Sequence, residues 1–479
     1  ANTTGGYNTA VGYSALGANT TGNNNTSIGH STLVSNTTGT ANVAIGLQAL
    51  NQNNASSNVA VGQNALYLNT TGTTNAAVGH QSLEQNTTGS RNTAMGANAL
   101  DANTTGNNNT ALGFQSQTGR TGGNDNVAVG AYCMNATATG DSNTGLGKSA
   151  LHDLTSGATN TAVGHNAMFG MTTGDHNVAI GAQALEDNTT GTGNVAVGYD
   201  AMRISTTASY NTGIGFYALR ENNGTNNTAV GYRALRYNTS NYNTAVGYEA
   251  LLSNTTGNQN VAVGRGALYN NQSGVNNVAI GKHALYNCTN SGNVAVGEYA
   301  GGAVTTGDSN IFIGKNCGGI TNGVHNIMFG YDYTVGNQSN LIGFNNSSQT
   351  VTCSGSAGQF TFSSDGRDKT DIVDLTLGLE FIKKLTPRKF RWDYRDKTRF
   401  PKGWEDDPDM LIKSGFIAQE VQEVLKEENA EYTAIVDAKD PDKLQVGAAG
   451  MIPMMINAIK ELSAENTALK ARVTALEGG

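Results

Sequence analysis

Proline is almost missing: the 479-residue chain has five, and all of them (Pro387, Pro401, Pro408, Pro441, Pro453) lie near its C-terminal end, as do both tryptophans, Trp392 and Trp404. Charge is scarce as well, at 13 % of residues, with aromatics at 7 %. Such a mixture excludes ordinary globular cores spread evenly along the chain. Residues 1–362 hold 10 Lys/Arg against 14 Asp/Glu with no basic cluster, so the electrostatic footprint of a nucleic-acid binder is missing. There is no run of eighteen apolar residues, and the opening ANTTGGYNTA has neither a basic start nor an apolar centre. Neither a membrane-inserted segment nor a secretion signal is visible. Cys133, Cys288, Cys317 and Cys353 lie far apart, without the pairing of a zinc site or the density of a disulfide scaffold. Free, partly buried thiols are expected, and no metal or cofactor.

What the chain has instead is glycine, 62 of them. The composition then changes abruptly, and residues 363–479 carry 18 Lys/Arg and 22 Asp/Glu. We read a repetitive shaft over 1–350, a junction over 351–363, an α+β domain over 364–450 and a helical tail over 451–479. The chain begins in the middle of a repeat without Met and reads as a piece of a longer protein.

The repeat is N-T-A-V-G-Y-x-A-L-x-x-N-T-T-G-x-x, as in NTAVGYSALGANTTGNN from Asn8. Its glycine recurs at Gly12, Gly29, Gly46, Gly62, Gly79 and onward to Gly330, twenty times at steps of 16 or 17. Four residues before each stands an asparagine (Asn8, Asn25, Asn42, Asn58, Asn75 and so on), and immediately before each an apolar residue such as Val11 or Ile28. A strand this short cannot bury enough surface to offset its chain entropy, so a lone unit does not fold. Stacked in register, the units share an interior, which we expect to be the Val/Ile row, and the asparagines form a hydrogen-bonded ladder along the axis. Glycine permits a corner, and the NTTG runs supply turns. The expected fold is mainly β, a parallel β-solenoid of about twenty coils; at roughly 4.8 Å per coil it is on the order of 95 Å long. N-T-T triplets that recur with a structural period are read as turns rather than glycan sites. His30, His80 and His165 occupy the variable position after the glycine and are expected to face solvent.

These N-[TV]-A-[VI]-G units resemble the head repeats of trimeric autotransporter adhesins, over residues 1 to about 335. The resemblance implies a left-handed parallel β-roll in each of three chains.

Beyond Phe360, Leu375, Leu379, Ile382 and Leu385 recur at helical spacing up to Pro387, KFRWDY alternates like a strand, and GFIAQEVQEVLKEE reads as an amphipathic helix with Ile417, Val421, Val424 and Leu425 on one face. At the end, Met455, Ile459, Leu462, Asn466, Leu469, Val473 and Leu476 alternate at steps of four and three, the seam of a coiled coil. The chain should therefore oligomerise. By side-chain preference alone this seam leans toward two strands. The acidic residues Glu405, Asp406, Asp407 and Asp409 read as a solvated loop.

The order S-D-x-R-x-K-x-D-I, L-x-x-I-x-x-L-x-P-x-x-F-x-W, G-F-I-A-Q-E-V and M-I-P-M-M-I-N-A-I-K-E-L is similar to the intramolecular chaperone autopeptidase domain of phage tail fibres and endosialidase tailspikes. That resemblance implies a trimeric chaperone which assembles the shaft and then releases itself by cutting the Ser363–Ser364 bond, with Ser364 and Lys369 as the dyad. A serine hydroxyl needs a neighbouring base, and a lysine serves when burial or a cation such as Arg367 keeps it unprotonated. Asp365 and Asp368 oppose that shift if they face the amine. Ser364 and Asp365 can also simply cap a following helix.

The implied function is a homotrimeric tail-fibre segment, extracellular on the virion, that attaches to a host surface glycan or protein and is an enzyme only toward itself. A bacterial surface adhesin that keeps its assembly domain is the alternative, and a glycan-degrading tailspike needs a catalytic domain these residues do not show.

Overall fold

The computed structural model describes residues 2–334, 337–346, 350–354, 359–362, 374–390, 413–430, 435–437, 445–446 and 448–478. The chain divides into two compact units, 1–363 and 364–479.

The first unit is a parallel β-solenoid. Twenty coils each contribute one short strand, from β1 (Thr9–Val11) to β20 (Ile327–Tyr331). Each strand pairs with the next in parallel and in register; Val43, Ala44 and Ile45 lie opposite Val59, Ala60 and Val61.

Strand alternation decides what is inside. In Asn42-Val43-Ala44-Ile45 the asparagine and the alanine are fully buried, whereas Ile45 is 37 % exposed and Val11, at the open end, 58 %. The expectation that the Val/Ile row fills the interior is therefore corrected: the row exists, but it points outward. Ala44, Ala60 and their equivalents, joined by Ala49 and Leu50 or Ala65 and Leu66 from the next part of each coil, form the core. The leucines get there through left-handed backbone, with φ of 50° at both Leu50 and Leu66. That conformation costs roughly 1–2 kcal/mol, offset by about 1.5–3 kcal/mol from burying a leucine side chain.

The asparagines satisfy the backbone at the strand's entrance. Asn42 donates its backbone N–H to Asn25 Oδ1 at 3.0 Å and its Nδ2 to the Ala55 carbonyl at 2.8 Å, while its own Oδ1 accepts the Asn58 N–H at 3.0 Å. A second buried row runs through the stretches read as turns. Asn36 donates to Asn19 at 3.1 Å, Asn69 to Asn53 at 2.7 Å, Asn86 to Asn69 at 2.7 Å and Asn103 to Asn86 at 2.8 Å, all side chain to side chain.

Both interior rows are interrupted in the seventh coil. Gln117 takes the leucine slot and Arg120 the asparagine slot, and both are fully buried. Arg120 Nη2 donates to the Gly140 carbonyl. Its Nε and Nη1, and Gln117 Oε1, have no hydrogen-bond partner among the described residues. Burial lowers the Arg120 pKa to about 10, which leaves it charged at neutral pH. The apolar core is accordingly split into one cluster from Leu16 to Ala111 and another from Ala128 to Tyr333.

Cys133, Cys288 and Cys317 are free and wholly buried, more so than the partly buried thiols expected. Burial pushes their pKa values up to about 12, 11 and 11, so they are inert thiols of the interior.

The shaft ends differently from its repeat. The step shortens so that Ile327 pairs with Ile342 on β21 (Leu341–Asn346). Antiparallel β22 (Thr350–Ser354) and β23 (Gln359–Phe362) then follow. Such a cap covers the last open edge of a stack.

In the second unit, α1 (Leu379–Lys384), α2 (Ala418–Glu427) and α3 (Ala448–Glu477) accompany two short antiparallel pairs, β24 (Arg388–Phe390) with β25 (Lys413–Gly415) and β26 (Val436–Asp437) with β27 (Gln445–Val446). Both short helices are smaller than their apolar spacing suggests: Leu375 precedes α1, and Gly415 belongs to β25. Leu377, Phe381, Leu385, Val421, Leu425, Ile435, Met451 and Met454 make the core.

Candidate functional site

Ser363, Ser364 and Lys369, with Asp365, Arg367 and Asp368, lie outside the described residues. The described part of the second unit shows how its helices are fixed. Gly378 offers no side chain to cap α1, and a carboxylate of α3 does so instead: the Leu379 N–H donates to Glu461 Oε2 at 2.6 Å. One turn earlier on α3, Asn457 Nδ2 donates to the Leu375 carbonyl at 2.6 Å. Arg388 grips Glu420 of α2 with both arms, at 3.0 and 2.8 Å.

α3 carries the apolar seam. Met455, Ile459 and Leu462 line a groove with Leu379 and Ile382 of α1. Farther along, Leu469 and Val473 are about half exposed and Leu476 is 81 % exposed, with Asn466 among them also exposed. Among the described residues nothing covers that distal half.

On the shaft, the strand's outer row is uniform, Val, Ile, Leu or Met in most coils and partly exposed throughout. A second surface is as varied as the first is monotonous. The first, second and fifth residues after each repeat glycine sit beside one another, as the hydrogen bond from Gln81 Nε2 to Glu84 Oε2 at 2.8 Å shows. From coil to coil those three slots hold aromatic, charged and amide residues among smaller or apolar ones such as Ser14, Ala97 and Leu252. Aromatics are densest between Tyr199 and Tyr299, where seven tyrosines and Phe216 stand in these slots. Tyr199, Phe216, Tyr232 and Tyr248 stack at centroid distances of 5.2, 5.6 and 5.0 Å, and the Arg265 guanidinium lies 5.6 Å from the Tyr248 ring. Beside them, Arg236 lies 5.2 Å from the Tyr217 ring and 4.8 Å from that of Tyr237. Sequence reasoning treated these slots as indifferent surface; listing them coil by coil is the signal that exposes the run.

The same slots hold a carboxylate pair upstream. Glu84 accepts from Asn64 Nδ2 at 2.8 Å as well as from Gln81. Burial first, and then the Glu84 charge, push the Asp101 carboxyl up from 3.8 to about 6. Since the folded state holds this proton more tightly than the unfolded chain, the stabilisation is complete below about pH 4 and is lost as the pH rises through about 6. Thermal melting of Asp101→Asn should match the native shaft near pH 4 and exceed it at pH 7.5. Asn51 and Asn135 already occupy this slot elsewhere. Equal melting temperatures for the two proteins at both pH values would refute the pairing.

Residues 364–429 match a peptidase family model described as chaperone of endosialidase. No curated protein and no solved structure matches the chain.

Proposed function

We propose that the chain is a segment of a homotrimeric phage tail fibre: a shaft that serves in host attachment, followed by an assembly chaperone that cuts itself away before Ser364. The observation that carries this reading is the family match at 364–429 directly following a twenty-coil solenoid. It is supported by the two apolar rows that the single chain leaves uncovered, the Val/Ile row of the shaft and the distal seam of α3. Near-identical coils give three chains many registers of almost equal energy, and a clamp at one end selects one of them.

In the cut we propose, Lys369 Nζ, unprotonated, accepts the Ser364 hydroxyl proton. Ser364 Oγ adds to the Ser363 carbonyl carbon, the Ser363–Ser364 C–N bond breaks, and the proton passes to the released Ser364 amine. Water then hydrolyses the ester, leaving a Ser363 carboxylate and a restored Ser364 hydroxyl. Each chain turns over once. No cofactor enters these steps.

Light scattering on the purified protein should give three copies of the shaft per particle. Denaturing electrophoresis with N-terminal sequencing should find a fragment starting at Ser364. A monomeric particle would defeat the assembly reading, and an uncut chain after prolonged folding the peptidase reading.

A further inference from the structure

The varied surface between Tyr199 and Tyr299 is not used in the assembly and cutting proposed above. We infer that it is the shaft's recognition face and that its ligand is an extended acidic polysaccharide lying along the axis. This rests on the attachment reading and specifies where, and to what chemistry, attachment occurs.

Three observations converge on it. First, the face is rigid and wet at once: Tyr199, Phe216, Tyr232 and Tyr248 are 36–47 % exposed, yet their rings are held in one stack. Aromatic side chains fixed in this way offer contact area at low entropic cost. Second, its charge differs from that of the rest of the shaft. Residues 199–299 hold six of the ten Lys/Arg found in residues 1–362 against four Asp/Glu, whereas the shaft as a whole has an acidic excess. Third, two of its cations have no carboxylate. Arg203, Arg220, Arg233 and Lys282 are paired with Glu186, Asp200, Glu249 and Glu298. Arg236 and Arg265 make no ion pair among the described residues and are held against tyrosine rings. Arg236 Nε is buried without a hydrogen-bond partner.

A pre-positioned guanidinium lacking its anion suits a ligand that brings carboxylates or sulfates. The ligand's other groups are hydroxyls, because the carboxylates that reach this surface, Glu221, Glu249 and Glu298, accept hydrogen bonds but repel a polymer charged at every residue. That disfavours nucleic acid and favours a sugar chain with spaced acidic groups. A stack repeating coil after coil suits a linear polymer.

Affinity electrophoresis of the full chain through gels containing hyaluronate or gellan, whose carboxylates are spaced along the sugar chain, neutral dextran or poly(dT) tests this. At least one acidic glycan should retard the native protein, with retardation falling as salt rises, and neutral dextran should not. The double variant Arg236→Ala, Arg265→Ala should weaken binding at least tenfold, and Tyr248→Ser should weaken it too. Lys148→Ala, an exposed cation in the same slot outside the run, should leave binding unchanged. Far-UV circular dichroism and particle mass on each variant separate lost binding from lost folding. No retardation by any acidic glycan, equal retardation by poly(dT), or full binding by the double variant would each overturn the assignment. Particle mass and cleavage read on the same preparations keep this failure distinct from failure of the fibre reading.

Discussion

Ser364→Ala protein should run as a single band of the full 49.6 kDa, whereas the native chain should yield pieces spanning 1–363 and 364–479. The effect is close to all-or-none, because removing the hydroxyl removes the only atom proposed to attack the Ser363 carbonyl. Three companions locate the chemistry. Ser363→Ala should be cut normally, since that residue contributes only its carbonyl. Lys369→Ala should slow cutting by about two to four orders of magnitude, the usual scale for loss of a general base. Lys369→Arg should be as slow, because a guanidinium stays protonated and cannot accept the serine proton. If Ser364 and Asp365 merely cap a helix, Ser364→Ala would lower stability by roughly 1 kcal/mol and leave the fragment pattern as it was. Cutting of Ser364→Ala at the native rate would end the proposed mechanism.

The second large effect belongs to the corner glycine. Gly62 has φ of +137°, a region that residues with a Cβ rarely adopt. A Cβ placed there would also overlap the Gly79 carbonyl oxygen of the next coil. That oxygen is backbone and cannot swing aside, and its neighbours are held by the bonds from the Gly62 N–H to the Ile45 carbonyl and from the Gly79 N–H to the Val61 carbonyl, both 2.8 Å. Gly62→Ala is therefore expected to destabilise its coils by about 3 kcal/mol or more. Hydrogen exchange should show lost protection over residues 43–82, while Gln63→Ala, exposed one residue on, stays within roughly 0.5 kcal/mol of native. Unchanged protection in the glycine variant would show that the corner is not the constraint inferred.

Much of the shaft was legible because each slot states its requirement twenty times. A glycine that always follows an apolar residue marks a corner, and an asparagine always four residues earlier marks a repeated polar partner. Which side of the strand faces inward was misread, because Val and Ile outrank Ala in hydrophobicity. The parity of the buried asparagine, two residues before Ala44 and three before Ile45, was the better guide. The second asparagine row was hidden by NTTG's likeness to a turn, and by Arg120, Leu154, Met171 and Cys288 standing in its slots. The antiparallel cap could not be read, since it departs from the repeat. At the other end, periodicity located α1 and α2 but not their limits, because Leu375, Leu377 and Leu385 reach the core from outside α1. The candidate dyad was legible only through resemblance: a serine and a lysine five residues apart specify no geometry.

The layer at Gln117 and Arg120 gives the shaft a fuse. A stack in which each coil touches only its neighbours is as strong as its poorest junction, and this layer exchanges apolar contact for a buried charge and unanswered hydrogen-bonding atoms. Under heat or tension the first seven coils are expected to peel away as a block and leave the other thirteen wound. The tyrosine-rich stretch lies entirely in the surviving block, so a shaft frayed at that end would keep the recognition face proposed for it.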